Sequence, residues 1–374
     1  MIEMFKEWYD ARHEYAKEWK KRTGGKVLGY FCTYVPEEIV YAAGALPVRV
    51  LGSHEPQNVT EPHIFAMFCP FCRDVLAQGL QGRYDYLDGI TIAQSCLHVR
   101  QAYTSWDLHI PTGFSHYLPM PHHVQSKHAV PFTRAEFEIF KTRLEDWTGN
   151  KITDDNLRRG IETVNRDRQM MKKVYELRKA DEVPLTGLEA MQMVVSSQMT
   201  DKAEHARIVE DALKELSGRS IGRPTGTRLM LLGSENDDVE FISMVEGLGA
   251  TVVQDDHCTG TRYFWDEVKD GNDPLGAIAA RYVTRTPCPT KDWPARKRID
   301  RILSFARDWN VAGAIVIQQK FCDPHELDIP AIRKALEDAG VKVLFLELDV
   351  TVPVGQFKIR TEAFLEMLAE EDLF

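Results

Sequence analysis

Two doubly wound α/β domains joined by a helical region are what this sequence predicts, and three features carry that reading. The chain has 374 residues, enough for about two domains at the usual ~100–200 residues each. Short apolar runs alternate with helical segments towards both ends of the chain but not in its middle, so the α/β pattern occurs twice. Cysteines follow several of the apolar runs, where a strand would leave its sheet. Strand-end loops of a parallel sheet gather along one edge, and α/β proteins bind their ligands there.

Ile2 to Arg22 reads as a charged amphipathic helix that stops at Gly24-Gly25. Val27 to Phe31 is a short apolar run with the look of a buried strand. Pro36-Glu37-Glu38 opens a helix that continues to Ala43, with proline early and two carboxylates at the positive helix end. Leu46 to Leu51 is a second strand. His63 to Leu80 reads as a helix carrying Cys69-Pro-Phe-Cys72 near its start, and Leu87 to Ala93 is a strand ending just before Cys96. These make a first α/β domain over 1–132.

Thr133 to about Leu216 is helical in pattern. Thr133 with Glu136, and Thr186 with Glu189, fit the capping box, in which hydroxyl and carboxylate satisfy orphan backbone donors. Thr153 or Asp154 caps the long helix from Asn156 to Ala180. Ser217 to Gly226 has linker composition and completes a connecting region over 133–226. In the second α/β domain, 227–374, strands are expected at Arg228–Leu232, Thr251–Gln254, Ala314–Gln318 and Val341–Glu347. Helices are expected at Glu240–Leu248, around Asp300–Asp308, at Ile329–Ala339 and at Thr361–Ala369. The halves share a rhythm but no residue-level repeat.

The net charge of −10 and scattered basic residues argue against nucleic-acid binding. No apolar run approaches the ~18 residues of a membrane span. The charged first helix is unlike a secretory leader, so a cytoplasmic protein is expected. Neither G-x-x-x-x-G-K-[ST] nor a strand followed by G-x-G-x-x-G occurs, which excludes a P-loop ATPase and a standard NAD fingerprint. Gly233-Ser-Glu-Asn-Asp-Asp238 has the look of a phosphate loop, but its three carboxylates would repel phosphate.

Seven cysteines in such a chain favour metal or redox chemistry over structural disulfides. Only Cys69 and Cys72 form a close pair, so the paired ligands of a structural zinc site are missing, as are zinc-protease motifs. A run of three close cysteines, as in ferredoxins, is also missing. A dispersed set gathered by the fold fits a cluster held between domains, while a buried inert thiol stays the alternative for any single cysteine. Cys69 and Cys72 lie at a helix start, where partial positive charge favours thiolate. Cys96 and Cys322 have polar neighbours in Ser95, His98, Asp323 and His325. His98, His257 and His325 each lie within three residues of a cysteine and are open to ligation, proton donation or hydrogen bonding to sulfur. His122-His123 only superficially resembles a metal-binding tract.

GYFCTYVPEEIVYAAGALPVRVLG, FCPFCRD, SCLHVRQ and the long stretch from QQKFCDPHELDIP to FKIRTEAFLEML together resemble the 2-hydroxyacyl-CoA dehydratase and benzoyl-CoA reductase family over essentially the whole chain. SHEPQNVTEPHIFAMFCPFCRDVLAQGLQGRYDYLDG and CTGTRYFWDE are most similar to the smaller, substrate-side C (gamma) subunit of ATP-dependent benzoyl-CoA reductase. The resemblance implies flavodoxin-like domains around an iron-sulfur cluster, a homologous larger substrate-side subunit, and an ATP-hydrolysing iron-sulfur activator fed by ferredoxin, so that ATP is used by partners and not by this chain. It carries cluster ligation onto Cys69, Cys96 and Cys322, three thiolates that leave one iron of a 4Fe-4S cubane open. Cys32, Cys72, Cys258 and Cys288 exceed what one cubane uses, and related proteins of the family hold a double-cubane 8Fe-9S cluster on about six thiolates. The implied reaction is dearomatisation of benzoyl-CoA to a cyclohexadiene thioester by single low-potential electrons, and His98 and His325, each close to a cysteine, are the candidate proton donors. Two alternatives stay open. One is a 2-hydroxyacyl-CoA dehydratase subunit, and the other an electron-transfer subunit of a double-cubane reductase.

Overall fold

The computed structural model describes residues 1–371. The first α/β unit comprises α1 (Ile2–Asp10), α2 (Glu14–Thr23), β1 (Val27–Tyr30), α3 (Glu37–Ala42), β2 (Leu46–Arg49), α4 (Pro70–Leu80), β3 (Gly89–Ala93), α5 (Leu97–His109) and β4 (Ser115–Leu118). Four helices follow: α6 (Ala129–Thr148), α7 (Asp154–Leu177), α8 (Gly187–Ser197) and α9 (Lys202–Leu216). The second unit runs β5 (Thr227–Gly233), α10 (Val239–Gly247), β6 (Ala250–Asp256), α11 (Thr261–Phe264), α12 (Pro274–Thr284), α13 (Lys297–Asp308), β7 (Gly313–Gln319), α14 (Asp323–Asp338), β8 (Lys342–Leu348) and α15 (Val354–Glu371).

The strand order is β2-β1-β3-β4 in one sheet and β6-β5-β7-β8 in the other. Every pairing is parallel. Both are the flavodoxin-like order, in which the chain reverses direction across the sheet after its first two strands. Strands buried on both faces read as apolar runs, and β1, β2, β3, β5, β6 and β7 are buried along nearly their whole length, with buried polar residues at the carboxyl ends of β2, β6 and β7.

Local chemistry moved several boundaries. The helix expected from His63 starts only at Pro70, because a residue before proline is driven into extended geometry, and Cys69 has φ −45° and ψ 131°. The opening helix breaks at residues 11–13, and the break lets Arg12 donate to the Gly52 carbonyl at 3.2 Å. Thr133 forms no capping box. It lies inside α6, where its hydroxyl donates to the Ala129 carbonyl at 2.8 Å. The boxes at Thr186–Glu189 and Thr153–Asn156 do form. Helix α14 begins at Asp323, immediately after Cys322, rather than at Ile329. Elements α5, β4 and α12 were not expected from the sequence.

Glu37 and Glu38 prove to be more than helix-end charges. Both are buried, and they tie α3 to the helical region and to the second unit. Arg168 of α7 pairs with Glu38 at 2.6 Å and Lys202 of α9 with Glu37 at 3.2 Å. From the second unit, Tyr263 donates to Glu37 at 2.9 Å and Tyr282 to Glu38 at 2.9 Å. Close approach of α7 to α3 requires Gly160, since a Cβ there would lie 2.2 Å from the Glu38 carbonyl oxygen. Gly160→Ala should therefore cost about 1–3 kcal/mol by overpacking, despite alanine's better helix propensity, and a denaturant midpoint measures it.

Candidate metal centre

Strand ends decide where the thiols go. Cys32 follows β1, Cys96 follows β3, Cys258 follows β6 and Cys322 follows β7. In each sheet the order reverses between its first and third strands, and a parallel sheet opens a crevice at that point along its carboxyl edge. The two crevices meet in one cavity of about 90 Å³, and all seven cysteines line it. None is in a disulfide.

Three sulfurs also sit at helix poles. Cys69 is the N-cap of α4, Cys96 of α5 and Cys322 of α14, and Cys288 precedes a 3-10 turn, Pro289–Lys291. A helix N-terminus presents unpaired N–H groups and about half a positive charge, which favours anionic sulfur. The Cys96 Sγ accepts the Val99 N–H at 3.4 Å.

The thiols fall into two groups. Cys69 is within hydrogen-bonding reach of Cys322 and Cys72, whose donated bonds hold its thiol well below the usual range. Cys96 is likewise lowered, first by Cys72. Cys72 is pushed well up by burial and by Cys69 and Cys96, and Cys322 by its bond to Cys69 and by burial. Cys32 faces Cys258 and Cys288 on the other side, its own thiol raised by burial.

Four buried cations lie about the second group, and the half-buried Arg296 stands in the cleft wall with Cys69, Cys96 and Cys322. Arg49, Arg262, Arg285 and Lys291 are all at most 4 % exposed. Arg49 donates to the Cys258 Sγ at 3.0 Å and to the Gln198 Oε1 at 2.6 Å. Arg262 spans the Gly233 and Ser234 carbonyls at 2.6 and 2.8 Å. Arg285 donates to the Thr33 carbonyl at 2.7 Å. Burial lowers Lys291 to about 8, against the pull of Cys32 and Cys288.

These donors bear on what the cavity can hold. The Nε of Arg49 and of Arg285, and the hydroxyls of Ser234 and Thr290, are buried without a partner, and all four residues line the cavity. Orphaned guanidinium donors in a buried wall are costly unless an acceptor-rich anion meets them. Soft sulfur ligands beside such donors fit an anionic iron-sulfur group, which Cys69, Cys72, Cys96 and Cys322 on one side and Cys32, Cys258 and Cys288 on the other would hold.

A cleft of about 350 Å³ runs from the surface to Cys69, Cys96 and Cys322. His98 stands in its wall, with Nδ1 accepting the Cys69 N–H at 3.0 Å, so that Nε2 carries the proton. His325 lines the cavity instead. Burial, Arg298 and Arg262 hold it well below the usual histidine range, and its Nε2 faces Arg262 at 3.4 Å. His257 is buried against the Thr259 hydroxyl at 3.0 Å, and His122 lies in the cleft wall with Nδ1 on the Thr290 carbonyl at 3.0 Å.

The family model for 2-hydroxyglutaryl-CoA dehydratase, D-component, matches residues 32–368. The chain belongs to that family. Within the D-component family it is 27 % identical to the (R)-phenyllactyl-CoA dehydratase beta subunit of Clostridium sporogenes, over 97 % of each chain. It is 26 % identical to a benzoyl-CoA reductase subunit of Thauera aromatica, over 93 % of this chain and 92 % of that one. It is 26 % identical to the beta subunit of (R)-2-hydroxyglutaryl-CoA dehydratase of Acidaminococcus fermentans, over 93 % and 94 %. D-component relatives are thus subunits of dehydratases and reductases, which implies partner subunits. Among the described residues no helix is long and apolar enough to cross a membrane.

Sequence reasoning missed two groups of residues. The four cations are scattered through the chain and carry no local signal. The loop Gly233–Asp238, set aside as a failed phosphate loop, supplies Glu235 to the cavity wall and Asp237 behind it. Its run of acids, anomalous for a strand end, was the available clue. Asp237 pairs with His54 at 2.6 Å. Burial opposes charge on His54, but Asp237 outweighs it and raises His54 from 6.5 to about 9. The pair's stabilisation is fully present below pH 6.5 and is lost as pH rises through about 9. Chemical unfolding at a series of pH values should show a loss on the order of 2–3 kcal/mol over that window, absent in His54→Gln.

Proposed function

We propose that this chain is the cluster-bearing substrate-side subunit of an ATP-dependent acyl-CoA reductase that dearomatises benzoyl-CoA. The observation that carries the proposal is the convergence of seven thiols on one cavity in two electrostatically unequal groups. A bound iron-sulfur group would supply single electrons at low potential, reaching about −700 mV in the most negative cases. Reducing an aromatic ring takes two such electrons. Four buried cations around Cys32, Cys258 and Cys288 would stabilise added negative charge on that side, while helix poles and the half-buried Arg296 do so for Cys69, Cys96 and Cys322. A two-part site of that kind is suited to holding a pair of electrons. A dehydratase, which returns its single electron after each turnover, needs only one cubane on Cys69, Cys96 and Cys322.

The cleft supports a thioester approaching the Cys69, Cys96 and Cys322 side. Its volume of about 350 Å³ suits a small acyl group. Leu97, Trp293, Phe321 and Leu327 are exposed in its wall, an apolar rim that suits both an aromatic ring and an electron-delivering partner. In this reading His98 is the proton donor at the cleft, because the Cys69 amide fixes its tautomer with the Nε2 proton available. His325, walled in beside Arg262, keeps a supporting place. The similarity to the phenyllactyl-CoA dehydratase subunit favours dehydration of a 2-hydroxyacyl-CoA as the second reading.

Products and ATP use separate the two. Anaerobic protein, combined with its partner subunits and activator, should convert benzoyl-CoA to a cyclic diene thioester with ATP consumed in proportion to turnover. Conversion of a 2-hydroxyacyl-CoA to its enoyl thioester with only catalytic ATP would overturn the reductase reading. Within the reductase reading, His98→Gln should slow turnover about 100-fold or more with iron content unchanged, the range for losing a general acid. An unchanged rate removes His98 from proton delivery.

A further inference from the structure

We infer that Glu235, Asp237 and His54 form a proton relay from the protein surface into the thiol cavity. The inference rests on the reading that this cavity takes up electrons, and it adds a route for the protons that must accompany them.

Glu235 stands in the cavity wall at 2 % exposure. Gln319 donates to its Oε2 at 3.4 Å, and its Oε1 has no donor at all. Behind it Asp237 is fully buried, with His54 Nε2 at 2.6 Å from Oδ1 and Arg12 donating to Oδ2 at 3.2 Å. His54 reaches solvent, its side chain 21 % exposed. Reactive atoms of the three residues all lie within 4.8 Å of one another. That spacing would also suit a metal ion, but Arg12 and His54 already satisfy Asp237, so proton sharing is the better use of the geometry. Two carboxyls this close cannot both ionise cheaply. Burial and then the Asp237 charge push Glu235 far above the usual range, and it is a neutral acid next to a carboxylate.

His54 is held in place for this role. It occupies the left-handed region at φ 60°, a strained conformation for a residue with a side chain. Asp74 pins that loop by accepting the amide N–H groups of Ser53 and His54 at 2.9 Å each.

The transfer balances without any redox change in the relay. The electron would come from the activator subunit of the proposed reductase to the iron-sulfur group that the cavity would hold. The Glu235 O–H bond breaks as its proton bonds to that reduced occupant. The Nε2 proton of His54 then moves to the Asp237 carboxylate and on to the Glu235 carboxylate so formed, and His54 regains a proton from solvent.

Infrared spectroscopy of the isolated protein reads the relay directly, before and after iron-sulfur reconstitution. A protonated-carboxyl band should be present at neutral pH and lost in Glu235→Gln. On transfer to deuterated water that band should shift promptly in the parent chain and about 100-fold more slowly in His54→Gln and Asp237→Asn, the range seen when a positioned acid–base group is removed. His54→Gln alters a partly exposed side chain and keeps the test decisive if Asp237→Asn does not fold. No band in the parent, or exchange unaltered by His54→Gln, would overturn the relay. Iron content of the same preparations judges the underlying reading separately. Iron-free protein with His54-dependent exchange sinks the redox function and supports the relay, while iron-loaded protein with His54-independent exchange does the reverse.

Discussion

Everything distinctive about this chain depends on parallel strands ending together. Two sheets with the same order each open at the point where their connections diverge, and the openings face one another. Residues that follow β1, β3, β6 and β7 are consequently neighbours in space although some lie more than two hundred positions apart. Three helices then begin at those strand ends or nearby, with Cys69, Cys96 and Cys322 as their N-caps. Their sulfurs sit at the positive ends of the helix dipoles, an arrangement that suits anions.

Such a centre is costly to build. Arg49 and Arg285 are buried with an unpartnered Nε each, and Glu235 is a buried acid with an unpartnered oxygen. A stable fold tolerates these only if surrounding packing holds them or an occupant satisfies them. The rest of the molecule provides rigidity. Glu37 and Glu38 of α3 pair with cations from the helical region and accept from tyrosines of the second unit, so one short helix binds all three regions. Proposed electron storage in the cavity and proposed proton entry through His54 both need the two sheet edges kept in register, and this buried network is placed to do so.

Much of the fold was legible because buried parallel strands are short apolar runs, and all but β4 announced themselves that way. Strand β4, Ser115–Leu118, has the pattern Ser-His-Tyr-Leu and is only partly buried at the sheet edge, so it lacked the apolar signal. Proline chemistry misled at Cys69, where extended geometry before Pro70 delays the helix and turns a mid-helix cysteine into a cap. The thiols themselves were visible as candidates from their places after strands. What sequence did not disclose was the company they keep. Arg49 ends a strand, Arg262 lies in a four-residue helix and Arg285 follows α12, and only tertiary structure brings them to one wall. Glu235 reads in sequence as a charge that repels a ligand, whereas its buried position makes it a neutral acid.

The central proposal is that seven converging thiols hold iron and sulfide in two parts. Iron and acid-labile sulfide should be counted after anaerobic reconstitution of the parent chain and of a chain with Cys32, Cys258 and Cys288 all replaced by alanine. The proposal predicts about eight irons per parent chain, two cubanes' worth, falling to about four in the triple variant. About four irons in both proteins would contradict it, leaving the cation-flanked thiols outside the cluster.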